Sequence, residues 1–160
     1  MLRENSSRRS PASCYHSLLE GLMSMRGAIE TRISEFLAAG DPKLEWVKPA
    51  VRKHAFLPLY VGWVAVLGLR PDGSFVRWDH ENDRASVKQL SDAYWQRMAI
   101  CQGARKYPEL RALLPERPAT ALTCPDCGGS GQMSGAPQVV CQCGGIGWII
   151  PGEQREPSPG

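Results

Sequence analysis

Two close pairs of cysteines near the C-terminus constrain the fold of this chain more than any other feature. The first pair lies in the sequence CPDCGGSG at residues 124–131, and the second lies in CQCGGIG at residues 141–147. Together they account for four of the six cysteines. A tetrahedral metal site needs four converging ligands, and the glycines after each pair permit sharp turns that residues with a Cβ resist. The pattern therefore predicts that residues 124–147 fold around one metal ion.

The predicted metal ligands are Cys124, Cys127, Cys141 and Cys143, and the predicted ion is zinc, or iron in the same cage. The alternatives are a disulfide pair, a redox-active C-x-x-C motif, or cysteines that only pack against each other. A thioredoxin-like C-x-x-C opens a helix, whereas glycine-rich sequence follows Cys127, so the redox alternative is disfavoured. Because a single residue separates Cys141 from Cys143, one of these two is open to being a weaker ligand.

Residues 124–131 resemble the C-x-x-C-x-G-x-G repeat of the DnaJ-type cysteine-rich zinc finger, and residues 141–147 resemble it with one residue missing between the cysteines. The resemblance covers roughly a sixth of the chain. DnaJ proteins carry four such repeats that hold two zinc ions, and their J-domain bears a His-Pro-Asp motif that this chain lacks. The resemblance therefore implies a local zinc fold with one ion, without implying a co-chaperone role.

Outside the cysteine region, the hydrophobic pattern predicts an α+β fold with helices in the N-terminal part. Residues 14–39 carry an apolar stripe at helical spacing, and residues 41–55 form a second helical segment that Pro49 interrupts. Ser86 and Gln89 have the spacing of a capping box. This spacing predicts a further helix that begins at Ser86.

A β-hairpin is predicted between these helices. Residues 59–69 form an apolar first strand, the sequence RPDG at residues 70–73 is a turn signal, and residues 74–78 alternate as a second strand. The first strand is predicted to be covered on both faces, and the second to lie nearer an edge. A short helical turn is predicted over residues 108–114. The fold prediction is therefore N-terminal helices and a central β-hairpin packed with a following helix, plus a C-terminal zinc-knuckle module.

The predicted domain organisation follows from changes in composition along the chain. It comprises a disordered tail over 1–13, an α+β domain over 14–116, a zinc-binding module over 117–150 and a second disordered tail over 151–160. Met23 and Met25 are alternative start sites, which makes residues 1–22 a candidate over-long reading of the gene.

Charge and hydropathy narrow the class of protein. A net charge of +3 with 42% apolar and 22% charged residues is typical of soluble globular proteins, and it falls short of the basic balance of a dedicated nucleic-acid binder. No secretory signal opens the chain, so a cytoplasmic protein with reduced thiols is expected. The longest apolar run, residues 56–69, is shorter than the span of about 20 residues that a membrane helix needs, so no membrane association is expected.

The favoured functional hypothesis is a small zinc-binding protein with a structural four-cysteine site that binds another protein as an interaction or adaptor module. Nucleic-acid binding is the rival, because cations precede the cysteines: Arg97, Arg105, Lys106, Arg111 and Arg117. It is disfavoured because residues 124–147 contain no lysine or arginine. An enzyme is the third alternative, but four thiolates leave zinc no open position, and no catalytic residue is predicted.

Three further features carry predictions. Residues 79–83 (DHEND) have the residue types of a metal or acid–base site, but a solvated loop is favoured because no second histidine or cysteine lies nearby. Cys14 and Cys101 are predicted to be small hydrophobic residues on helices. The apolar residues that flank the second cysteine pair are predicted to pack against the main domain or, alternatively, to contact a partner: Val139, Val140, Ile146, Trp148, Ile149 and Ile150.

A second resemblance is carried by Leu57-Pro58-Leu59-Tyr60, which precedes a hydrophobic strand and is flanked by helices. This arrangement resembles the SMI1/KNR4-like group of bacterial immunity and adaptor proteins. It implies an immunity protein as one more functional alternative.

Overall fold

The computed structural model of the chain describes residues 11–80, 87–133 and 135–153, with the backbone alone described for residues 11–23 and 137–139. The helices are α1 (Pro11–Ala38), α2 (Lys48–His54) and α3 (Ala93–Lys106), with 3₁₀ helices at Glu45–Val47 and Pro108–Leu113. Pro49 lies in the first turn of α2, where a missing amide hydrogen is tolerated, so it opens this helix instead of interrupting one. None of the described helices is both long and apolar enough to cross a membrane.

Four antiparallel strands form a meander in the order β1-β2-β3-β4. Their bounds are β1 Leu57–Val61, β2 Ala65–Leu69, β3 Phe75–Asp79 and β4 Val87–Gln89. The predicted turn at residues 70–73 joins β2 to β3: Gly73 has φ +87°, and the Asp72 carboxylate accepts a hydrogen bond from the Ser74 amide at 2.9 Å. The helices and this sheet confirm the α+β class.

Two details of the predicted hairpin are wrong. The apolar run of residues 59–69 contains two strands, because the chain turns at residues 62–64, where the Gly62 amide donates to the Ala65 carbonyl at 2.9 Å. The strand Phe75–Asp79 is an interior strand, because Val87–Gln89 pairs with its outer side.

The predicted start of the following helix at Ser86 is also wrong. Ser86 itself lies outside the described residues, and Val87–Gln89 form the edge strand β4. Helix α3 begins at Ala93, where the Asp92 carboxylate accepts hydrogen bonds from the amides of Tyr94 and Trp95 at 2.9 and 3.2 Å. Pairing with β3 therefore prevails over the capping-box pattern, and a different N-cap residue opens the helix.

The sheet is packed on both faces. On one face lies a cluster formed with α1, α3 and the second 3₁₀ helix; it includes Ile29, Leu57, Leu59, Leu67, Leu69, Ile100 and Leu110. On the other lies a cluster formed with α2, which includes Val47, Val51, Phe56, Val66, Val76 and Trp78. Ile33 and Phe36 of α1 pack against both clusters. Helix α3 is thereby held against the sheet, and its remaining surface is available to the C-terminal residues.

Candidate metal centre

The C-terminal residues form two short β-ladders joined by two cysteine turns. Strand β5 (Leu122–Thr123) pairs with β8 (Trp148–Ile149), and β6 (Gln132–Met133) pairs with β7 (Ala136–Val140), both antiparallel. Residues 124–131, between β5 and β6, are called the first knuckle, and residues 141–147, between β7 and β8, the second knuckle. The ladders bring the two knuckles face to face.

The four predicted ligands converge on one point. All sulfur atoms of Cys124, Cys127, Cys141 and Cys143 lie within 4.8 Å of one another. The Cys124–Cys141 and Cys127–Cys143 sulfurs are 3.6 and 3.8 Å apart. A tetrahedron of thiolates with metal–sulfur bonds of about 2.3 Å has edges of about 3.8 Å, whereas a disulfide requires about 2.05 Å. The cysteines are therefore free thiols positioned to coordinate a metal ion.

The knuckles are related by an approximate two-fold axis despite the shorter second pair. In the first knuckle, the Gly131 amide donates to the Cys127 sulfur at 3.3 Å, and in the second, the Gly147 amide donates to the Cys143 sulfur at the same distance. The knuckles also exchange backbone hydrogen bonds, because the Cys124 amide donates to the Gly147 carbonyl and the Cys141 amide to the Gly131 carbonyl. The second pair has one residue fewer between its cysteines than the first, but both of its sulfurs still lie in the cluster.

The glycines at the end of each knuckle are required by close packing as well as by conformation. A Cβ on Gly131 would lie 2.2 Å from the Gly145 carbonyl oxygen, and a Cβ on Gly147 would lie 2.4 Å from that of Gly129. Both residues also have positive φ angles, +77° and +88°. Any other residue at either position would push the knuckles apart.

The electrostatics of the sulfur cluster favour binding of a cation. Burial raises the pKa of the Cys141 thiol to about 12 and also raises the pKa of Cys143. Burial acts in the same direction on Cys127, but hydrogen bonds donated by the amides of Gly131 and Gly129 outweigh it and lower the pKa to about 7. Grouped, buried thiolates need a compensating positive charge, and residues 124–147 supply no lysine or arginine. A bound metal ion is the charge that this donor set fits.

The second knuckle packs directly on α3. A Cβ on Gly144 would lie 3.1 Å from the Cβ of Met98, so the knuckle backbone contacts the helix surface. The Tyr94 hydroxyl donates a hydrogen bond to the carbonyl of Gln142. Both helix residues lie on one face of α3, four positions apart.

A buried ion pair fixes the strand that follows the second knuckle. The Arg97 guanidinium lies 5.2 Å from the centroid of the Trp148 ring and donates to the Glu153 carboxylate, at 2.8 Å for one of the two bonds. Arg97 and Trp148 are buried. Sequence reasoning missed this pair, because 56 residues separate its members and Glu153 falls in the predicted tail 151–160. Residues 154–160 lie outside the described residues, as do residues 1–10 of the other predicted tail.

The remaining candidate residues are dispersed. Cys101 is buried on α3, outside the sulfur cluster, and burial raises its pKa to about 11, as expected for a packed thiol. The side chain of Cys14 is not among those described. Of the acidic cluster 79–83, Asp79 pairs with Arg77 and the His80 ring packs against Trp46, and residues 81–83 lie outside the described residues.

Of the apolar residues flanking the second pair, Trp148 is buried, and Val140, Ile146, Ile149 and Ile150 are half-buried; the Val139 side chain is not among those described. Packing against the α+β domain therefore explains the burial of Trp148.

No protein-family model, curated protein or solved structure matches this chain. The resemblance of residues 124–147 to the DnaJ-type zinc finger therefore rests on the sequence repeat, whereas the knuckle geometry supports a zinc-finger-like metal site in general. The resemblance of residues 57–60 to the SMI1/KNR4-like group rests on sequence alone.

Proposed function

We propose that this protein binds one zinc ion through Cys124, Cys127, Cys141 and Cys143 in a structural site, and that it acts by binding another protein as an adaptor. The observation that carries the metal site is the convergence of four sulfurs within 4.8 Å, with two of their separations, 3.6 and 3.8 Å, close to the edge length of a tetrahedral cage. Free thiols suit a reducing compartment, which fits a protein of the cytoplasm.

A structural role follows from the ligand set. Four thiolates complete the coordination of zinc and leave no position for a reactive water. Three of the four cysteines are buried, so substrate access to the ion is restricted as well. The apolar cluster of the module consists largely of the cysteines themselves, with Met133 and Ile149 packed against them. The ion therefore supplies much of the free energy that folds these residues.

The choice of a protein partner over nucleic acid rests on the distribution of cations. Of the arginines before the module, Arg97 is buried in its ion pair with Glu153. Arg117 donates to the Ala121 carbonyl and the Thr123 hydroxyl. These contacts engage two of the five cations, and residues 124–147 include no lysine or arginine, so the knuckles offer no cation of their own to a phosphate backbone.

Elemental analysis of freshly purified, reduced protein tests the metal site. We expect one zinc per chain, and loss of that zinc when Cys124 and Cys141 are both replaced by serine. Replacement of Cys101 by serine is the matched control and should retain the ion, because its thiol lies outside the cluster. Absence of stoichiometric metal in the unaltered chain would refute the site. Visible thiolate-to-metal absorption with stoichiometric iron would replace zinc by iron in the same cage.

Hydrogen exchange with and without a chelator tests the structural role. Removal of the ion should abolish protection in residues 122–149, because their backbone hydrogen bonds join the two knuckles. Strands β1–β3 have their own apolar clusters and should keep their protection. Equal loss of protection in both regions would show that the proposed zinc module and the α+β domain unfold as one unit.

A further inference from the structure

A cleft of about 390 Å³ opens where α3, the 3₁₀ helix Pro108–Leu113 and the second knuckle meet. Cations and apolar side chains line it together: Arg105, Arg111, Leu114, Pro115, Ile146 and Trp148. Its outer wall includes Gly145 of the second knuckle, so the shape of the cleft depends on the knuckle being in place.

The two arginines of this cleft are exposed, and no carboxylate in the described part of the chain pairs with either of them. This distinguishes them from Arg32 and Arg97, which pair with Glu109 and Glu153. A guanidinium donates parallel hydrogen bonds to a carboxylate, and two guanidinium groups in one cleft concentrate positive charge there. The cleft is therefore complementary to an acidic group.

The apolar surface continues beside the arginines. An adjoining cleft of about 280 Å³ shares Pro115 and Trp148 with the first and has mostly apolar walls, which include Phe75, Ile100, Leu113 and Ile150. Arg97 and Glu116 also line the adjoining cleft, but Arg97 is paired with Glu153. A negatively charged group is therefore favoured at the Arg105 and Arg111 end. The two clefts together present a cationic site next to an apolar one.

We infer that this pair of clefts binds a short peptide segment of the partner protein, with acidic side chains at Arg105 and Arg111 and a large apolar side chain in the adjoining cleft. The inference rests on the proposed function, because it names the class of partner and uses the metal-held knuckle as one wall. Charged pairs of this kind steer and orient a partner, and the apolar contact adds burial.

Nucleic acid fits the same clefts less well. Single-stranded nucleic acid binds through stacking of bases on aromatic faces as well as through phosphate contacts. Trp148, an aromatic residue common to both clefts, is only 7% exposed, and the Arg97 guanidinium lies 5.2 Å from its ring centroid. Two arginines also neutralise few phosphates.

Fluorescence anisotropy with defined probes tests the inference. The probe is a capped, fluorescein-labelled octapeptide that carries two aspartates followed by leucine and phenylalanine in a glycine–serine background. Its control carries asparagine in place of both aspartates. We expect the zinc-loaded full chain to bind the acidic peptide at least about tenfold more tightly than the amide peptide. Arg105→Glu and Arg111→Glu should each weaken acidic-peptide binding at least about tenfold.

Arg52→Glu provides the matched control, because Arg52 is exposed on α2, away from both clefts, and the change in net charge is the same. It should change the affinity less than about twofold at 150 mM salt, where the Debye length is about 8 Å. Equal weakening by all three substitutions would reduce the effect to net charge and overturn the site. Equal binding of the acidic and amide peptides, or binding of neither, would overturn it too.

A labelled eight-nucleotide oligothymidine is the third probe. Tighter binding of this probe than of the acidic peptide, with the same dependence on Arg105 and Arg111, would replace the peptide by nucleic acid. The zinc content of each sample is measured as well, so that the metal site is tested independently of peptide binding. A chain that holds one zinc and ignores the acidic peptide refutes the inference alone, whereas a chain without zinc refutes the proposed function.

Discussion

The two knuckles have nearly the same backbone and very different surroundings. Gly128 in the first and Gly144 in the second are equivalent by the two-fold axis, and both have positive φ angles. A Cβ on Gly128 would meet nothing within 4 Å, whereas a Cβ on Gly144 would lie 3.1 Å from the Met98 Cβ. One knuckle therefore faces solvent and the other packs against α3. The comparison shows that metal geometry and docking are specified separately.

The docking difference has a basis in side chains. Equivalent positions carry Ser130 and Gln132 in and after the first knuckle, and Ile146 and Trp148 in and after the second. The polar pair is exposed, whereas Trp148 is buried and Ile146 half-buried. Burial of apolar surface therefore favours packing of the second knuckle on α3.

Of the substitutions that compare the two knuckles, replacement of single cysteines should have the largest effect. Cys127→Ser and Cys143→Ser are equivalent by symmetry, although Cys143 is the more buried. Structural zinc sites supply roughly 10 to 16 kcal/mol across four ligands, so each loss should weaken zinc binding by about 3 kcal/mol, or over a hundredfold. Competition with a chromophoric chelator measures this. Retention of zinc within about tenfold by Cys143→Ser alone would make the second pair the weaker half of the site.

Alanine at the two terminal glycines should have the next largest effect. Gly131→Ala and Gly147→Ala each place a Cβ within 2.5 Å of a carbonyl oxygen of the other knuckle. We expect each to lower the free energy of unfolding of the zinc-loaded protein by about 3 kcal/mol, measured by urea denaturation. Gly128→Ala, which meets no neighbour, should lose about 1 kcal/mol from its positive φ alone. Similar losses for all three variants would contradict the close packing of Gly131 and Gly147 against the opposite knuckle.

Breaking the buried ion pair should affect the docked half only. Glu153→Gln leaves the Arg97 guanidinium buried without its counter-charge, and we expect a loss of about 2 kcal/mol with faster hydrogen exchange in β8. Zinc content should stay at one per chain, because neither residue touches the sulfur cluster. Addition of Arg97→Met should recover part of the loss by removing the unpaired charge. No recovery would indicate that contact with Trp148 matters more than charge.

The smallest predicted effect is the difference between alanine substitutions at the two equivalent glycines. Gly144→Ala and Gly128→Ala carry a similar conformational cost, so their difference measures the contact with Met98. We expect Gly144→Ala to be about 1 kcal/mol more destabilising in urea denaturation. Substitution of Met98 by alanine should leave the difference unchanged, because alanine keeps the Cβ that the added methyl group meets. Equal values without that substitution would place the second knuckle away from the helix.

The convergence of the cysteines was predictable because its causes are local: ligand chemistry, spacing and glycine turns all occur within residues 124–147. Packing of the second knuckle against the main domain was predicted only as one of two alternatives, and its contacts were not predicted, because Arg97 and Met98 contact residues far along the chain. The false helix start at Ser86 has the same origin. A local capping pattern competes there with a strand partner, and only the paired sheet shows which prevails.

The same missing signal explains the extra strand. Residues 62–64 carry no proline and no Asn-Gly or Asp-Gly pair, and Gly62 alone is too weak a signal to predict that the chain reverses inside an apolar run. The turn at residues 70–73, by contrast, has proline, aspartate and glycine in the order that a turn favours, and it was predicted correctly.

The backbone exchange between the knuckles also imposes an order of assembly. Each knuckle completes its hydrogen bonds with a carbonyl of the other, so residues 124–131 cannot reach their final structure until residues 141–147 have been synthesised. Helix α3 leaves the ribosome earlier than both, and domains generally fold as their residues emerge. The loop between the pairs is short, which keeps the entropy of closing it small. A folded helix surface is thus ready to receive the second knuckle when it is made, and the sulfur cluster closes last.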